Sequence, residues 1–424
     1  MAYARRVLDT QLDRLLTGLP AVVIDGPKAV GKTETATRRA ATVLALDDPT
    51  ERVLIEADRD RLSRLPTPIL IDEWQLYPAV WDQVRRAVDA GAAPGSYLLT
   101  GSATPTTAPT HTGAGRIVRL RLRPMSLAER GLVEPTVSLA DLLSGVGPPI
   151  AGESPVGLAE YAEEIVTSGF PGLRALPAPT RAAGLNGYLD AIVEHDFAEL
   201  GHVVRRPRTL RAWLKAYAAA TSTTASYNTI LDASTAGHGD KPAKTTTIAY
   251  RETLDRMWLL DTVPAWTGTR SPMASLGQAP KHHLADPALA ARLLGVGAGA
   301  LLDSPNPDSP PVPRDGTLLG ALFESLVTLG VRTYAEAADA QVSHLRTHRG
   351  DHEVDLIVTR DDGRMVALEV KLAAVAGDED VRHLHWLREQ VGDDLLDAAV
   401  ITTGPAAYRR PDGIAVIPAA LLGP

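Results

Sequence analysis

The chain has 424 residues, a formal net charge of −8 and no cysteine. Its length predicts two or three domains, each large enough for its own hydrophobic core. The lack of cysteine excludes disulfides, a thiolate zinc site and a cysteine nucleophile, and the acidic balance argues against a protein that coats nucleic acid over its whole surface.

The first predicted strand, Ala21 to Ile24, leads into the sequence GPKAVGKT (Gly26 to Thr33) and then into a stretch that favours helix. This is the phosphate-loop pattern G-x-x-x-x-G-K-[ST], with the strand before it and the helix after it that the pattern requires. Backbone N–H groups of such a loop and the following helix N-terminus bind phosphate oxygens. The pattern therefore predicts an ATP site made of Gly26, Pro27, Lys28, Ala29, Val30, Gly31, Lys32, Thr33 and Glu34.

Within this loop, Lys32 would reach the β- and γ-phosphates, and the Thr33 hydroxyl would bind Mg²⁺. The later segment PILIDEW (Pro68 to Trp74) predicts a strand that ends in two acidic residues. Asp72 would hold Mg²⁺, directly or through water, and Glu73 would act as a general base toward the attacking water. An acidic strand end is common by itself, but its position after the phosphate loop and one intervening strand makes the pair specific.

The next strand, Tyr97 to Thr100, ends in polar residues, and Ser102 is a candidate sensor of the γ-phosphate. An ordinary turn explains the same residues equally well. Arg116 precedes a further strand and is a candidate arginine finger toward the nucleotide of a neighbouring subunit, a role that requires a homo-oligomer. The arginines that alternate along that strand predict a solvated or interdomain edge: Arg119, Arg121 and Arg123.

A break rich in Pro and Gly, Gly145 to Pro155, predicts a linker, and the chain then favours helix from Leu158 to Ala265. Thr245 to Trp266 resembles the end of a winged helix-turn-helix unit, which more often packs domains than binds DNA. A basic run is the best local candidate for a contact with a phosphate backbone, although the polar face of a helix explains it at least as well. The run comprises Arg205, Arg206, Arg208, Arg211 and Lys215.

The C-terminal segment predicts the order α-β-β-α-β after the Pro-rich stretch from Leu301 to Asp315. Its elements are expected at Leu318 to Leu329, His352 to Val358, Met365 to Val370, Asp380 to Gln390 and Ala398 to Thr402. This order indicates a small α/β domain.

An Asp on one strand followed by E-x-K on the next is the PD-(D/E)XK nuclease pattern. Asp355 and Glu369 would bind Mg²⁺ or Mn²⁺, and Lys371, on the same strand face as Glu369, would orient or activate water. Glu324 would add a further carboxylate. The alternative is a solvated strand face with alternating charges. The nearby histidines are interpreted as polar loop groups rather than metal ligands: His348 and His352.

The segments GPKAVGKT, PILIDEW and LTGS together resemble one branch of the AAA-type ATPases. The resemblance continues through SGFPGL (Ser168 to Leu173), YLDAIVEHDFAEL (Tyr188 to Leu200), PKHHLADPALAARLLG (Pro280 to Gly295), HRGDHEVDLIV and ALEVK. These segments are similar to prokaryotic ATP-binding proteins whose C-terminal domain of unknown function has a restriction-endonuclease-like fold. The resemblance supports Lys32 and Thr33 as nucleotide ligands, Asp72 and Glu73 as catalytic acids, and Ser102 as a sensor.

The fold expected from this resemblance has three parts. They are an AAA-type P-loop parallel-sheet domain at 1–144, a helical and winged-helix region at 156–300, and a small α/β PD-(D/E)XK nuclease-like domain at 316–424. Relatives often have Arg-Gln where this chain has Lys28-Ala29, which leaves the prediction intact because the loop backbone binds phosphate.

The sequence as a whole predicts a Mg²⁺-dependent ATPase that acts on DNA through a C-terminal domain that cleaves or only binds it. The alternative is an ATP-dependent switch whose nuclease-like domain is an inactive module for protein interaction. ATP and DNA are the expected partners, and a homo-oligomer stays open. Since the chain shows neither a signal-peptide core nor a run of about 18 apolar residues, we expect a cytoplasmic protein without a membrane span.

Overall fold

A computed structural model describes residues 3–58, 60–104, 113–202, 204, 206–235, 242–268, 278–302, 316–347 and 350–424. The predictions for Arg205, His348 and most of the Pro-rich stretch after Leu301 lie outside these residues. Over the described ranges, no helix is both long and apolar enough to cross a membrane.

The N-terminal part is built on a parallel sheet of five strands in the order β2-β3-β4-β1-β5. The strands are β1 (Ala21–Asp25), β2 (Thr42–Ala45), β3 (Ile69–Asp72), β4 (Tyr97–Gly101) and β5 (Val118–Arg121). The helices are α1 (Val7–Leu16), α2 (Lys32–Thr37), α3 (Pro49–Ala57), α4 (Arg61–Arg64) and α5 (Ala79–Asp89).

Apolar side chains cover both faces of this sheet. Successive residues of a strand point to opposite faces, so Val22 and Ile24 pack in one core with α1, whereas Ala21 and Val23 pack in another with α5. Such burial on both sides explains why the strands read as nearly continuous apolar runs. The polar residues at the strand ends lie at the carboxyl edge of the sheet, where they are available for binding or catalysis.

The middle part is mostly helical, as the sequence predicts. Helix α6 (Leu139–Ser144) precedes it, and the helices of the middle part are α7 (Leu158–Thr167), α8 (Pro171–Arg174), α9 (Ala178–Ala191), α10 (Phe197–Glu199), α11 (Pro207–Ala219), α12 (Tyr227–Thr235), α13 (Lys244–Arg256), α14 (Pro287–Leu294) and α15 (Ala298–Leu302). A π-helical turn, Ile192–Asp196, joins α9 to α10.

After α13, two antiparallel bridges join the chain before and after the undescribed residues 269–277. They pair Leu260 with Leu284 and Val263 with Lys281. The two bridged segments are here called the hairpin, and the winged-helix assignment of Thr245 to Trp266 stays a prediction. The hairpin carries Lys281 toward the C-terminal sheet.

The C-terminal sheet has seven strands in the order β7-β12-β13-β11-β10-β9-β8. They are β7 (Gly152–Glu153), β8 (Gln341–Arg346), β9 (Glu353–Thr359), β10 (Met365–Val370), β11 (Leu395–Thr402), β12 (Ala406–Arg409) and β13 (Ala415–Pro418). The accompanying helices are α16 (Gly316–Ala337) and α17 (Asp378–Val391), and two short strands, β6 (Val137–Ser138) and β14 (Leu422–Gly423), pair in parallel.

The predicted order of this part is incomplete, and the predicted linker has structure. Strand β8 lies at a sheet edge and carries Gln, Ser, His and Arg among its residues, which obscures the apolar alternation of a strand. The segment from Gly145 to Pro155 contains β7, which pairs with β12. Helix α6 packs on α16, β10 and β11, and Arg360 donates a hydrogen bond to the Leu143 carbonyl at 3.0 Å. Residues 137–153 therefore pack with the C-terminal sheet.

Candidate functional site

The phosphate loop connects the end of β1 to the start of α2 through three left-handed residues. Gly26 has φ 154°, and a Cβ there would collide with the backbone carbonyl oxygen of Leu122. Ala29 and Gly31 have φ 66° and 99°, and Gly31 caps α2. Loops with such conformations direct successive N–H groups toward an anion, so the backbone geometry agrees with phosphate binding.

Lys32 lies inside this loop. Its Nζ donates hydrogen bonds to the carbonyl oxygens of Gly26 at 2.9 Å and Pro27 at 2.7 Å, and the residue is only 5% exposed. Burial lowers the pKa of Lys32 to about 8, against the opposing effect of Glu73 and Asp72. The amine is therefore held where a phosphate oxygen can replace the two carbonyl oxygens.

Asp72 ends β3 and faces the loop. The Thr33 hydroxyl donates to the Asp72 carboxylate, at 2.9 Å from Oδ1 and 3.1 Å from Oδ2. The Thr100 hydroxyl donates to the same carboxylate from β4, because β4 lies between β1 and β3. Hydroxyl and carboxylate oxygens are the ligands that Mg²⁺ prefers, so this pair of residues fits the ion.

Glu73 follows Asp72 in a left-handed conformation, with φ 53°. Its Oε2 accepts hydrogen bonds from Ser102 Oγ at 2.8 Å and from the Gln75 side-chain amide. Ser102, the predicted phosphate sensor, thus contacts the predicted general base. Gln75 was not predicted, although it directly follows the segment PILIDEW.

Lys28 joins the phosphate loop to the helical part. Its Nζ lies 2.7 Å from Asp196 Oδ1 and 3.0 Å from Glu199 Oε2, and the Tyr188 hydroxyl donates to the Lys28 carbonyl oxygen at 3.3 Å. These partners belong to the segment YLDAIVEHDFAEL, and their contact with Lys28 could not be predicted from the sequence. Lys28, which was predicted to bind nucleotide, is thus paired with two carboxylates.

A cavity of about 230 Å³ lies beside these contacts. Gln75 and Ser102 line it from the N-terminal sheet, and Tyr188, Leu200 and Met257 line it from the helical part. The helical part therefore covers the Glu73 side of the nucleotide site within one chain.

Arg116 is the one predicted nucleotide ligand that lies far from the loop. It precedes β5, which runs parallel to β1, so it lies at the amino edge of the sheet. Its Nε lies 2.9 Å from Asp89 Oδ1. Arg116 therefore does not contribute to the nucleotide site of its own chain, and its role toward a neighbour stays a prediction.

The predicted C-terminal residues come together at one end of β9 and β10. Lys371 Nζ lies 2.9 Å from Glu369 Oε2, and Asp355 Oδ2 accepts a hydrogen bond from the Val370 N–H at 2.9 Å. Burial raises the pKa of Glu369 well above its usual value, and Asp355 raises it further. Burial also acts to raise the pKa of Asp355, but the ammonium groups of Lys281 and Lys371 outweigh it and hold that pKa below its usual value.

Lys281, from the hairpin after α13, completes this cluster and was missed. Its Nζ lies 2.9 Å from Glu324 Oε1, 3.0 Å from Asp355 Oδ1 and 3.4 Å from Glu353 Oε1. Burial raises the pKa of Glu324 to about 8, and Asp355 adds to this effect. No sequence spacing connects Lys281 with strands more than 70 residues later.

This arrangement does not fit the predicted Mg²⁺ or Mn²⁺ site at Asp355 and Glu369. Three of the four carboxylate oxygens of Asp355 and Glu369 already bind Lys281, Lys371 or a backbone N–H, and Glu369 Oε1 has no hydrogen-bond partner among the described residues. In the parts of the chain that the structure describes, no group of three or more His, Asp or Glu residues is arranged to hold a metal ion. His352 stacks on Trp386 with ring centres 4.1 Å apart.

The basic run lies before and along α11. Arg206, Arg208, Arg211 and Lys215 are exposed, and Arg211 forms an ion pair with Asp190 on α9. Both sequence interpretations, a phosphate contact and a solvated helix face, agree with this placement.

Comparison with known proteins identifies the N-terminal part. Residues 19–130 match the protein-family model of the AAA domain. This match supports an AAA-type P-loop domain over these residues. Residues 158–299 match a domain of unknown function, DUF8612, and residues 319–422 match another, DUF4143. Neither description names a nuclease, so the restriction-endonuclease-like fold stays a prediction.

Two uncharacterized proteins, of Mycobacterium bovis and Mycobacterium tuberculosis, are each 26% identical to this chain over 431 residues. These matches cover 99% of this chain and 84% of the relatives.

Two solved structures are similar at lower levels. The Walker-type ATPase PABY2304 of Pyrococcus abyssi has a TM-score of 0.39 at 16% identity, covering 67% of this chain and 94% of that one. The ORC2 protein of Aeropyrum pernix, in ADPNP–ADP complexes, has a TM-score of 0.28 at 17% identity, covering 68% and 90%. At these TM-scores the likenesses do not establish a shared overall fold.

Proposed function

We propose that this protein hydrolyses ATP in a Mg²⁺-dependent reaction at the phosphate loop, and that the nucleotide state changes the packing of the helical part. The observation that supports hydrolysis most directly is the meeting of Thr33 and Asp72 in front of the loop, with Glu73 beside them. A site for binding alone has no need of a second, separately positioned carboxylate.

In this proposal the loop from Gly26 to Glu34 holds the phosphates, and Lys32 exchanges its two carbonyl contacts for phosphate oxygens. Glu73 accepts a proton from water as the water oxygen bonds to the γ-phosphorus. The bond between that phosphorus and the β,γ-bridging oxygen breaks, which yields ADP and phosphate. Ser102 and Gln75 orient the Glu73 carboxylate for this step.

Thr33 and Asp72 would hold Mg²⁺, which when bound neutralises charge on the β- and γ-phosphates. Residues of the chain carry out the proton transfer and orient the reacting groups. Asp72 is oriented by two hydroxyl donors, from Thr33 and Thr100.

Lys28 supports the coupling. A γ-phosphate in the loop would compete with Asp196 and Glu199 for its ammonium group, which lies on the loop itself. Loss of those ion pairs would release the end of α9 and α10 from the loop. Because the C-terminal carboxylates bind lysines, a nucleotide-dependent switch is favoured over DNA cleavage.

DNA remains the proposed partner on one observation, the exposed basic side chains before and along α11. They would contact a phosphate backbone, with affinity that falls as salt concentration rises. The exposed face of α13 adds little, since it carries Glu252 and Asp255 as well as Lys244.

The test is ATP turnover by the purified protein with and without duplex or single-stranded DNA. We expect Mg²⁺-dependent phosphate release that Lys32→Ala abolishes, and full turnover in that variant would contradict the ATPase proposal. The paired substitution of Arg208 and Lys215 by Gln should weaken DNA binding and leave basal turnover unchanged. If DNA alters neither turnover nor gel mobility, the DNA proposal fails while the ATPase proposal stands.

A further inference from the structure

The C-terminal carboxylate cluster, here Glu324, Glu353, Asp355 and Glu369, contains a cation that another part of the chain supplies. We propose that Lys281 is the resident cation of this cluster and takes the position that a divalent metal ion would need. The cluster then binds neither Mg²⁺ nor Mn²⁺ while Lys281 is in place. This inference does not depend on ATP turnover.

The Lys281 ammonium donates hydrogen bonds to Glu324 and Asp355 and forms an ion pair with Glu353. An ammonium has three N–H donors and no acceptor, and Lys281 Nζ lies 2.9, 3.0 and 3.4 Å from three separate carboxylates. Divalent cations of the Mg²⁺ and Ca²⁺ class bind the same carboxylate oxygens. A metal ion at Asp355 and Glu324 would therefore meet a positive charge at bonding distance from the same oxygen atoms.

The backbone of Lys281 is fixed on both sides. Its N–H and C=O both form hydrogen bonds with Val263, each at 2.9 Å. The next residue, His282, donates to the Thr223 carbonyl oxygen at 2.9 Å. The side chain is 1% exposed, so the ammonium is a built part of the cluster and not a surface lysine that reaches in.

The same hairpin is attached to the C-terminal sheet. The His344 N–H on β8 donates to the Pro264 carbonyl oxygen at 2.9 Å, and the Trp266 N–H donates to the His344 carbonyl oxygen at 2.6 Å. Removing Lys281 from the cluster would require these contacts between the helical part and β8 to change. The hairpin thus fixes the position of the Lys281 ammonium in the cluster.

The other side of the cluster is open to solvent. The side chains of Glu353 and Lys371 are 35% and 34% exposed. An ion can therefore approach from this side, and the lysine, not a closed cavity, is what prevents its binding. This makes removal of the ammonium an informative test.

The first experiment measures Mn²⁺ binding by electron paramagnetic resonance in nucleotide-free protein that carries Asp72→Asn, which removes the ligand at the ATP site. We expect the same number of bound Mn²⁺ ions with and without the further change Asp355→Asn. A bound ion that Asp355→Asn abolishes would overturn the proposal.

The second experiment adds Lys281→Met to the same Asp72→Asn protein, with Lys281→Arg as the control that keeps the charge. The Met variant should bind one additional Mn²⁺ at least about tenfold more tightly than its parent, and Mn²⁺ should raise its melting temperature. The Arg variant should show neither change. A folded Met variant that binds no additional Mn²⁺ would contradict the proposal, and if that variant does not fold, the first experiment decides alone.

Discussion

Lys32 shows how single residues near the phosphate loop are arranged before nucleotide binds. Its ammonium lies on two loop carbonyl oxygens, Thr33 donates to Asp72, and Lys28 pairs with two carboxylates of the helical part. Each of these polar groups has a partner. For the buried Lys32 ammonium, exchange of the two carbonyl oxygens for phosphate oxygens avoids leaving a buried donor unsatisfied, which typically costs about 1–3 kcal/mol.

The lowered pKa of Lys32 predicts a pH signature of nucleotide binding. Burial places this pKa at about 8, and phosphate oxygens favour the charged amine, so binding should raise it. At a pH of about 8 we expect uptake of about half a proton per nucleotide, and almost none at a pH of about 6.5. Isothermal titration calorimetry in two buffers with different ionisation enthalpies measures this uptake, and an equal binding enthalpy in both at the higher pH would contradict it.

The residues of the loop and of the segment PILIDEW could be predicted because each motif is local in sequence. Glu73 and Asp72 are adjacent, and eight consecutive residues form the loop pattern. The partners of these residues could not be predicted. Ser102 contacts Glu73 only because β4 lies between β1 and β3, and Lys28 meets Asp196 only because α9 and α10 pack over the loop.

At the scale of elements, Asp286 holds two segments that are distant in sequence against each other. It caps α14 by accepting the Ala288 N–H at 2.9 Å, and its other oxygen accepts the Ser168 hydroxyl and the Gly169 N–H, both at 2.7 Å. The segment SGFPGL is thereby held against the start of the helix in DPALAARLLG. Asp286 is fully buried, so these are charge-assisted hydrogen bonds shielded from water.

We expect Asp286→Ala to destabilise the protein by several kcal/mol, since hydrogen bonds to a charged group contribute about 1.5–3 kcal/mol each. Asp48→Ala is the matched control. Asp48 also caps a helix that begins with Pro, by accepting the Thr50 N–H at 2.8 Å, but it is exposed. Its loss should cost about 1 kcal/mol. Urea unfolding measures both, and equal losses would contradict this role of Asp286.

The boundaries of an element could be predicted where apolar residues dominate it. They could not be predicted where tertiary contacts determine which strands pair. The strand Met365–Val370 was predicted at its observed bounds because five of its six residues are apolar, and the structure buries all six. The edge strand β8 and the two-residue strand β7 have no such pattern, and their pairing partners lie elsewhere in the chain.

At the scale of the whole molecule, Asp261 joins the three parts. It lies 3.0 Å from Arg121 and 2.7 Å from Arg123, both of the N-terminal part, and 2.9 Å from Arg332 on α16. Burial acts to raise the pKa of Asp261, but these arginines outweigh it and hold the pKa well below its usual value. A depressed carboxyl pKa contributes stability above its unfolded value of about 4, and that stability is lost as pH falls toward the folded value.

Asp261→Asn would leave three arginines around an uncharged amide. Breaking a buried ion pair by removing one partner typically costs about 3–5 kcal/mol, and we expect a loss of this size in thermal or urea unfolding. Asp339→Asn is the control, because Asp339 pairs with Arg14 between the N- and C-terminal parts while both side chains are exposed. Its effect should stay below about 1 kcal/mol, and a similar loss in both variants would contradict the assignment of Asp261 as the central contact.

The proposed hydrolysis of ATP depends on Glu73 as the general base. The most direct measurement compares wild type and Glu73→Gln, with ATP affinity and the rate of phosphate release determined on the same preparations. We predict an affinity that changes little and a turnover that falls by about 10²–10⁴-fold, because the carboxamide cannot accept the proton of the attacking water. An unchanged rate of phosphate release in Glu73→Gln would contradict the account.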